Sequence, residues 1–455
     1  MNNLPQTATV DEFFAEIKEH ETAGRFETAF ALAEQMVEAE PQMAVAQSVA
    51  GLLAFRQRDF PRSLMRVDQS VALAPQSATC LRNACLVYHG IGRLEEALAL
   101  AQREIDLSPQ DPTLYLNKSL ILHDMQRFDE ALNVVDQVLK RVPDYPEANF
   151  QRAELQLLIG RFAEGWESYE RRFELEQGKN MLPKTNKPQW DGKKLKSGRL
   201  LLVADQGYGD CIQFSRYIPW AAKLAPKPIL AMDDVLAPLL GQIKDVGRIA
   251  RSWDEAGDYD AYIPLSGLPR LAGTRLETIP APIAYLRADP LKVKEWRAKL
   301  AVLVPPGLKR VGVIWAGRPA HLKDQKRTVR LTQFAPLFAR EDLAIIALQK
   351  DERRTEAGMY FGGPATFLNL GPMIKDFSDT LAILQGLDQI VSIDTSVAHL
   401  AGAAGMPTSL ILPHTPDWRW LLGRDDSPWY PTMRLFRQER PADWSGVLER
   451  VANSL

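Results

Sequence analysis

The first third of the chain repeats its apolar positions every 34 residues. Phe26, Phe60, Leu94, Phe128 and Phe162 share one phase, Pro41, Pro75, Pro109 and Pro143 another, and small residues follow at Ala29, Ser63, Ala97, Ala131 and Gly165. Gly24, Gly92 and Gly160 mark a turn between two helical segments in alternate units. Each unit predicts a helix pair that cannot bury its own apolar face, so that neighbouring pairs must stack. Gln177 stands where the fifth unit should have its proline, and the array is expected to end at residue 179. The stretch KNMLPKTNKPQWDGKKLKS between Gly178 and Gly198 is lysine-rich and broken by proline, with no apolar period, and residues 180–198 are expected to be a linker. Beyond them the pattern changes to short apolar runs between helical segments: RLLLVA, PILAM and DAYIPL, then KRVGVIWAG, LAIIALQ, QIVSID and TSLILP. Wholly apolar strands separated by helices imply parallel sheets covered on both faces. The proline-marked passage 280–290 divides the runs into two groups, which predicts two Rossmann-like halves over 199–285 and 286–455 with a cleft between them.

The 34-residue pattern resembles the tetratricopeptide repeat, from about Val10 to Lys179, in five phased copies. The expected fold class is thus α plus α/β, an N-terminal α-solenoid over 1–179 followed by the paired α/β halves. Such arrays carry a concave groove. At one position of successive first helices stand Asn83, Asn117 and Gln151, again 34 apart, while Ala15 and Val49 interrupt the series in the first two units. An amide both donates and accepts, so a ladder of three suits an extended polypeptide of any sequence; the same amides would equally serve as solvated surface. The series resembles the asparagine ladder in the repeats of nucleocytoplasmic O-linked N-acetylglucosamine transferase.

Composition narrows the partners. The 55 Lys and Arg residues against 57 Asp and Glu leave a formal net charge of -2, which gives no basic field for nucleic acid. MNNLPQTATVDEFF lacks a basic-then-apolar leader, and no later run reaches membrane-spanning length, so the expected compartment is the cytoplasm without membrane insertion. Cys80, Cys85 and Cys211 have no CxxC spacing and are expected to be buried thiols.

Candidate chemistry lies at the ends of the apolar runs. The first runs into DQGYGDCIQFSRYIP, whose Gly207 and Gly209 lack the third glycine of a dinucleotide fingerprint. Asp210 at the start of the following helix has two readings, a helix cap or a general base at a cleft mouth. Arg318, Lys323, Lys326, Arg327 and Arg330 crowd the loop after VGVIWAG, where ligands of such sheets bind, and could meet an anion such as a diphosphate. Gln349 and Lys350 end the next run at the same edge. Asp394 ends QIVSID, and Thr395, Ser396 and His399 open the next helix, whose free N–H groups and dipole favour a phosphate. Nucleophilic catalysis by Ser396 would need a G-x-S-x-G elbow, and both glycines are missing. Asp258-Tyr259-Asp260 imitates a metal-binding Asp-x-Asp but leads straight into an apolar run, and no metal site is expected.

Together DQGYGD, WAGRPAHLKDQKRTVRL, ALQK, DFSDT, VSIDTSVAHLAGAAGMP and PDWRWLLGRDDSPWYPTMRLFRQ resemble the C-terminal domain of bacterial tetratricopeptide-repeat glycosyltransferases, related to the lipopolysaccharide heptosyltransferases of glycosyltransferase family nine. The resemblance implies a GT-B pair of domains and transfer of a sugar from a nucleotide-sugar, without a metal or other cofactor. It further implies a protein acceptor captured by the repeats, and some members of that group modify flagellin. It assigns the base to Asp210, and the donor motif to Asp394, Thr395 and His399, with Ser396 replacing a glycine. A phosphate-contacting lysine of those enzymes falls at Arg327, and their acidic ribose-binding residue is replaced near Gln349 and Lys350. The alternatives are a repeat adaptor with a transferase fold that no longer catalyses, or a transferase acting on a glycolipid.

Overall fold

The computed structural model describes residues 10–195, 199–317, 324–350, 353–358 and 362–455, the side chains of Gln325 and Arg354 excepted. Arg318 and Lys323, two of the expected anion-binding cations, lie outside the described residues. The chain forms two compact units, Met1–Arg152 and Ala153–Leu455.

In the first unit, helices pair as the period requires: α1 (Val10–Thr22) with α2 (Phe26–Ala39), α3 (Ala44–Arg56) with α4 (Phe60–Leu73), α5 (Ala78–Ile91) with α6 (Leu94–Leu107), and α7 (Pro112–Asp124) with α8 (Phe128–Arg141). The fifth pair, α9 (Pro146–Leu158) and α10 (Phe162–Tyr169), straddles the division between units. The residue between paired helices takes a left-handed backbone in every repeat. Gly24, Gly92 and Gly160 do so without a Cβ penalty, at φ of 74°, 90° and 82°. Arg58 and Gln126 adopt the same turn at 63° and 58°, which explains why glycine marks only alternate units. Small residues allow close approach, as at Ala29, Ala97 and Ala131, all fully buried. Ser63 is also buried and donates its hydroxyl to the Gly51 carbonyl at 2.7 Å.

The second unit holds two parallel sheets. The first has strands β1 (Leu200–Val203), β2 (Ile229–Ala231), β3 (Arg248–Ala250) and β4 (Ala261–Pro264), in the order β3-β2-β1-β4. The second has β5 (Lys309–Ile314), β6 (Leu343–Ala347), β7 (Thr366–Asn369), β8 (Gln389–Ile393), β9 (Thr408–Leu412) and β10 (Met433–Arg437), in the order β10-β9-β8-β5-β6-β7. Counted from its first strand, the second sheet has the doubly wound order 3-2-1-4-5-6, and the first sheet has the opening four strands of that order. The direction of winding reverses beside β1 and again between β5 and β8, so a crevice is expected at the carboxyl ends of these strands. Strands β1, β6 and β9 are buried along their whole length.

Two features of the stretch between repeats and sheets lie beyond what period can show. Within the expected array, which closes at residue 179, α10 and the turn after it fall in the second compact unit. Trp166 is 2% exposed, donates its indole N–H to the Thr274 carbonyl at 3.1 Å, and meets Phe214, Trp418 and Trp429 edge-on. Arg172, in the turn Glu170–Glu174, lies 3.6 Å from the buried Asp205 at the end of β1 and bonds to Ser266, which itself bonds to Asp205. A repeat helix in this position is amphipathic like any other, so period alone cannot tell which partner covers it. The expected linker is also ordered where described: Trp190 is buried against Trp220, and its N–H bonds to the Tyr262 carbonyl on β4 at 2.7 Å.

A fragment starting at residue 185 loses Trp166 and strands the Asp205 carboxyl without Arg172, and removing one member of a buried pair costs about 3–5 kcal/mol. A fragment of residues 146–455 should therefore unfold cooperatively, and one of residues 185–455 should melt much lower or aggregate. Equal stability of the two fragments in calorimetry would contradict this assignment of α10.

Candidate active site

Both sheets deliver polar residues to one place. After β1 the chain passes through Asp205 and Gln206 into helix α11 (Tyr208–Phe214). Gly207 is its N-cap residue and no side chain caps it, so Asp210 sits inside the first turn and the cap reading of this residue does not hold. Its Oδ1 accepts from Arg419, which follows the second sheet's β9, while its Oδ2 stays beside Gly207.

Arg419 is the hub. Its Nη2 donates to Asp210, its Nε to Gln213 Oε1 at 2.7 Å and its Nη1 to Asp417 Oδ1 at 2.7 Å. Asp210 and Gln213 come from α11, while Asp417 and Arg419 come from the turn after β9. The guanidinium also lies 4.2 Å from the centre of the Trp418 ring. Only 10% of the Arg419 side chain is exposed. Burial by itself disfavours the charge, but the flanking carboxylates outweigh it and hold the group firmly protonated. Two residues on, Leu421 has φ of 52° and ψ of -166°, a backbone that side chains rarely adopt.

The helix Ser396–Ala403 opens against α11. Thr395 caps it, its hydroxyl accepting from Ala398 N at 3.4 Å. A Cβ on Gly209 would stand 2.8 Å from His399 Cδ2 and 3.5 Å from Ser396 Cα, so glycine is what lets the two helices touch. His399 is buried, stacked on Trp420 with 5.3 Å between ring centres, and its Nδ1 lies 2.8 Å from the Tyr430 hydroxyl. Burial, reinforced by the charge of Arg419, pushes its pKa down to about 3, so the imidazole is neutral at physiological pH. Burial keeps Tyr430 protonated. With that phenol as donor, Nε2–H faces Asp394 Oδ1 at 3.7 Å. Burial, and then the nearby Asp417, raise the Asp394 pKa, while the charge of Arg327 works the other way.

Of the residues expected from the sequence, Gly209, Asp210, Asp394, Thr395, Ser396 and His399 gather here, with Arg327 close enough to act on Asp394. Arg327 belongs to the turn Asp324–Arg327, and its guanidinium presses on the backbone of Gly317, where a Cβ would be 2.8 Å from Nη2. Gly207 is exposed at the mouth of α11, and Lys326 is exposed on its own turn. Gln349 is occupied by the loop after β5: its Oε1 accepts from Trp315 N at 3.3 Å and Ala316 N at 3.2 Å, and its Nε2 donates to the Ala316 carbonyl at 3.0 Å. Lys350 bonds to the Lys375 carbonyl. In the other unit, the amide series lies on α5, α7 and α9 as expected, but two of its members bridge neighbouring repeats. Asn83 donates to Ser48 Oγ at 2.9 Å and Gln151 to the Leu116 carbonyl at 3.3 Å, while Asn117 is half-buried. Asp258 pairs with Arg199, and Asp260 accepts from Arg199 N at 2.7 Å, so this acidic pair fastens the start of β1.

Arg419, Asp417, Gln213, Trp420 and Tyr430 were not singled out in the sequence. For all but Gln213 the signal was the density of charge and tryptophan in PDWRWLLGRDDSPWYP, which has no apolar period to explain it.

A tetratricopeptide-repeat family model matches residues 48–112 and 116–173. Protein FlbA of Caulobacter vibrioides is 26% identical over 451 residues, covering 92% of this chain and 68% of that protein, so the similarity runs through the α/β unit as well. Among solved structures, MamA is 16% identical, matched over 39% of this chain and 99% of its own with a TM-score of 0.33. YrrB, a TPR protein with an unusual peptide-binding site, is 14% identical over 36% of this chain and 85% of its own, with a TM-score of 0.30. The chain thus carries tetratricopeptide repeats followed by a parallel-sheet α/β region. No helix among the described residues is long and apolar enough to cross a membrane.

Gly209→Ala should cost about 1–3 kcal/mol, since the ring it meets is fixed between Trp420 and Tyr430. Gly207→Ala, whose Cβ meets only Asp210 Oδ2 at 3.2 Å, should cost under about 1 kcal/mol. Equal losses in chemical denaturation would contradict the helix contact.

His399 has a folded pKa below its unfolded value, so the unfolded chain takes up the proton first as pH falls. Its contribution to stability is therefore complete above about pH 6.5 and declines toward pH 3, by at most about 1.4 kcal/mol per pH unit. Its ring resonances should not titrate between pH 5 and 8 by NMR; a midpoint near 6.5 would show a solvated imidazole instead.

Proposed function

We propose that this chain is a glycosyltransferase that moves a sugar from a nucleotide-sugar to a hydroxyl of a protein acceptor. The observation that carries the reading is the meeting of Asp210, from the first sheet's half, with Arg419, His399 and the N-terminus of helix Ser396–Ala403, from the second, beyond the carboxyl ends of β1 and β8. In this reading the two halves form a GT-B pair, with the donor on the second and the acceptor on the first. The resemblance of the same segments to family-nine transferases supports it independently of geometry.

Each group then has a task. Asp210 takes the proton of the acceptor hydroxyl as the oxygen attacks the anomeric carbon. The bond from that carbon to the donor phosphate breaks, and the departing charge is met by Arg327, Lys326 and the free N–H groups at the start of helix Ser396–Ala403. Neutral His399 offers a hydrogen bond rather than a charge, and Gly207 and Gly209 let the donor and the facing helix come close to the backbone. The repeats supply capture: a tethered polypeptide reaches the cleft at raised effective concentration without taking part in bond-making. Because some repeat-bearing transferases that this chain resembles modify flagellin, flagellin is the first acceptor to test.

Asp210→Asn should lower transfer about 100- to 10,000-fold with little change in melting temperature, since asparagine still accepts from Arg419 but cannot take the proton. Asp417→Asn, which removes the other charge partner of Arg419, should cost much less. Equal losses of radiolabelled-sugar transfer in the two variants would remove the separate role of Asp210.

A further inference from the structure

Resting on that reading, we infer that Arg419 changes partners when the donor binds: its ion pair with Asp210 is a latch that the donor phosphate opens. The ion pair engages the proposed base: Asp210 Oδ1 accepts from Arg419 Nη2, which holds the carboxylate against the arginine rather than free to turn to an acceptor hydroxyl. The guanidinium is a planar fork whose other preferred partner is a phosphate, which it grips bidentately.

The balance of charge at this point favours exchange over addition. Arg419 faces two carboxylates, Asp210 and Asp417, and the Asp394 carboxyl lies within electrostatic reach of both Asp417 and Arg419. A phosphate brought to Arg419 as it stands would meet an arginine whose charge is already shared between two carboxylates. Turned from Asp210 to the phosphate, the same arginine neutralises the incoming charge and uncovers the carboxylate in one movement. The surroundings allow that change without releasing the side chain, because Asp417 and the Trp418 ring, both from the arginine's own segment, hold its other flank. Gln213 marks the second contact to be given up: its Oε1 accepts from Arg419 Nε, and its buried Nε2 has no hydrogen-bond partner among the described residues.

The chemical step stays balanced. The acceptor O–H proton passes to Asp210, the acceptor oxygen bonds to the anomeric carbon, and the pair of electrons from the broken carbon–oxygen bond stays on the phosphate that Arg419 now holds. Donor must therefore bind before the acceptor is activated. Arg419 is in this scheme a positioning residue for Asp210 as well as a donor contact.

The test is calorimetric titration of the full chain with UDP, GDP, ADP and CMP in turn, using wild type, Asp210→Asn, Arg419→Gln and the double variant. For whichever nucleotide binds, Asp210→Asn should tighten affinity about tenfold, because it weakens the competing partner of the arginine. Arg419→Gln should weaken it about ten- to hundredfold, and in that background Asp210→Asn should no longer tighten it. An unchanged or weakened affinity in Asp210→Asn overturns the latch even if Arg419→Gln does not fold. Equal tightening with and without Arg419 also overturns it, since that is only the removal of a repelling charge. If wild type binds none of the four nucleotides, the transferase reading itself fails.

Discussion

One buried guanidinium joins the two sheets of the α/β unit. Arg419 reaches from the turn after β9 to Asp210 and Gln213 on α11, and so fixes how the two carboxyl edges face one another. Gly209 has to be bare because the helix carrying the arginine's partners is drawn onto His399. The imidazole has to be neutral because it is buried beside a permanent cation. A surface ion pair would impose none of this, since screening and side-chain entropy would leave it nearly worthless. A buried one is different: without Arg419 the carboxylates of Asp210 and Asp417 lose their shared partner, so the arrangement is conditional on the arginine.

Helix α10 and the turn after it extend the same logic. Trp166 packs against Phe214 of the first half and against Trp418 and Trp429 of the second. Tyr169 bonds to Gln206 at 3.2 Å and meets the Trp418 ring that lies under Arg419. The last repeat helix thereby packs against residues that follow strands of both sheets of the α/β unit. Its aromatic residues supply apolar area, while Arg172 supplies the charge that makes a buried Asp205 tolerable.

How much of this was legible follows from what local pattern encodes. The repeat period fixed both helices of every pair, because each repeat makes the same contact with its neighbours. Strands β1, β2, β4, β5, β6, β8 and β9 were readable as apolar runs, since most of their positions are buried. The unread strands, β3, β7 and β10, are all sheet edges; at β3 and β7 exposed or half-buried positions blur the apolar signal. In the site, residues at strand ends and helix starts were legible because topology sends ligands there. Arg419 was not, because its meaning lies in a partner 209 positions away, and no spacing rule spans that distance. Gln349 shows the opposite failure: its place at a strand end was read correctly, but its amide is committed to the neighbouring loop.

The account's central claim is that this cleft adds a sugar to a protein, and intact-mass spectrometry reads that addition directly. Cells that encode the chain would be compared with cells lacking it, across their surface, secreted and flagellar proteins. The account predicts at least one protein whose mass falls by a whole number of monosaccharide residues when the chain is absent, with the loss restored by re-expression. Identical masses for every such protein in the two cells would contradict it.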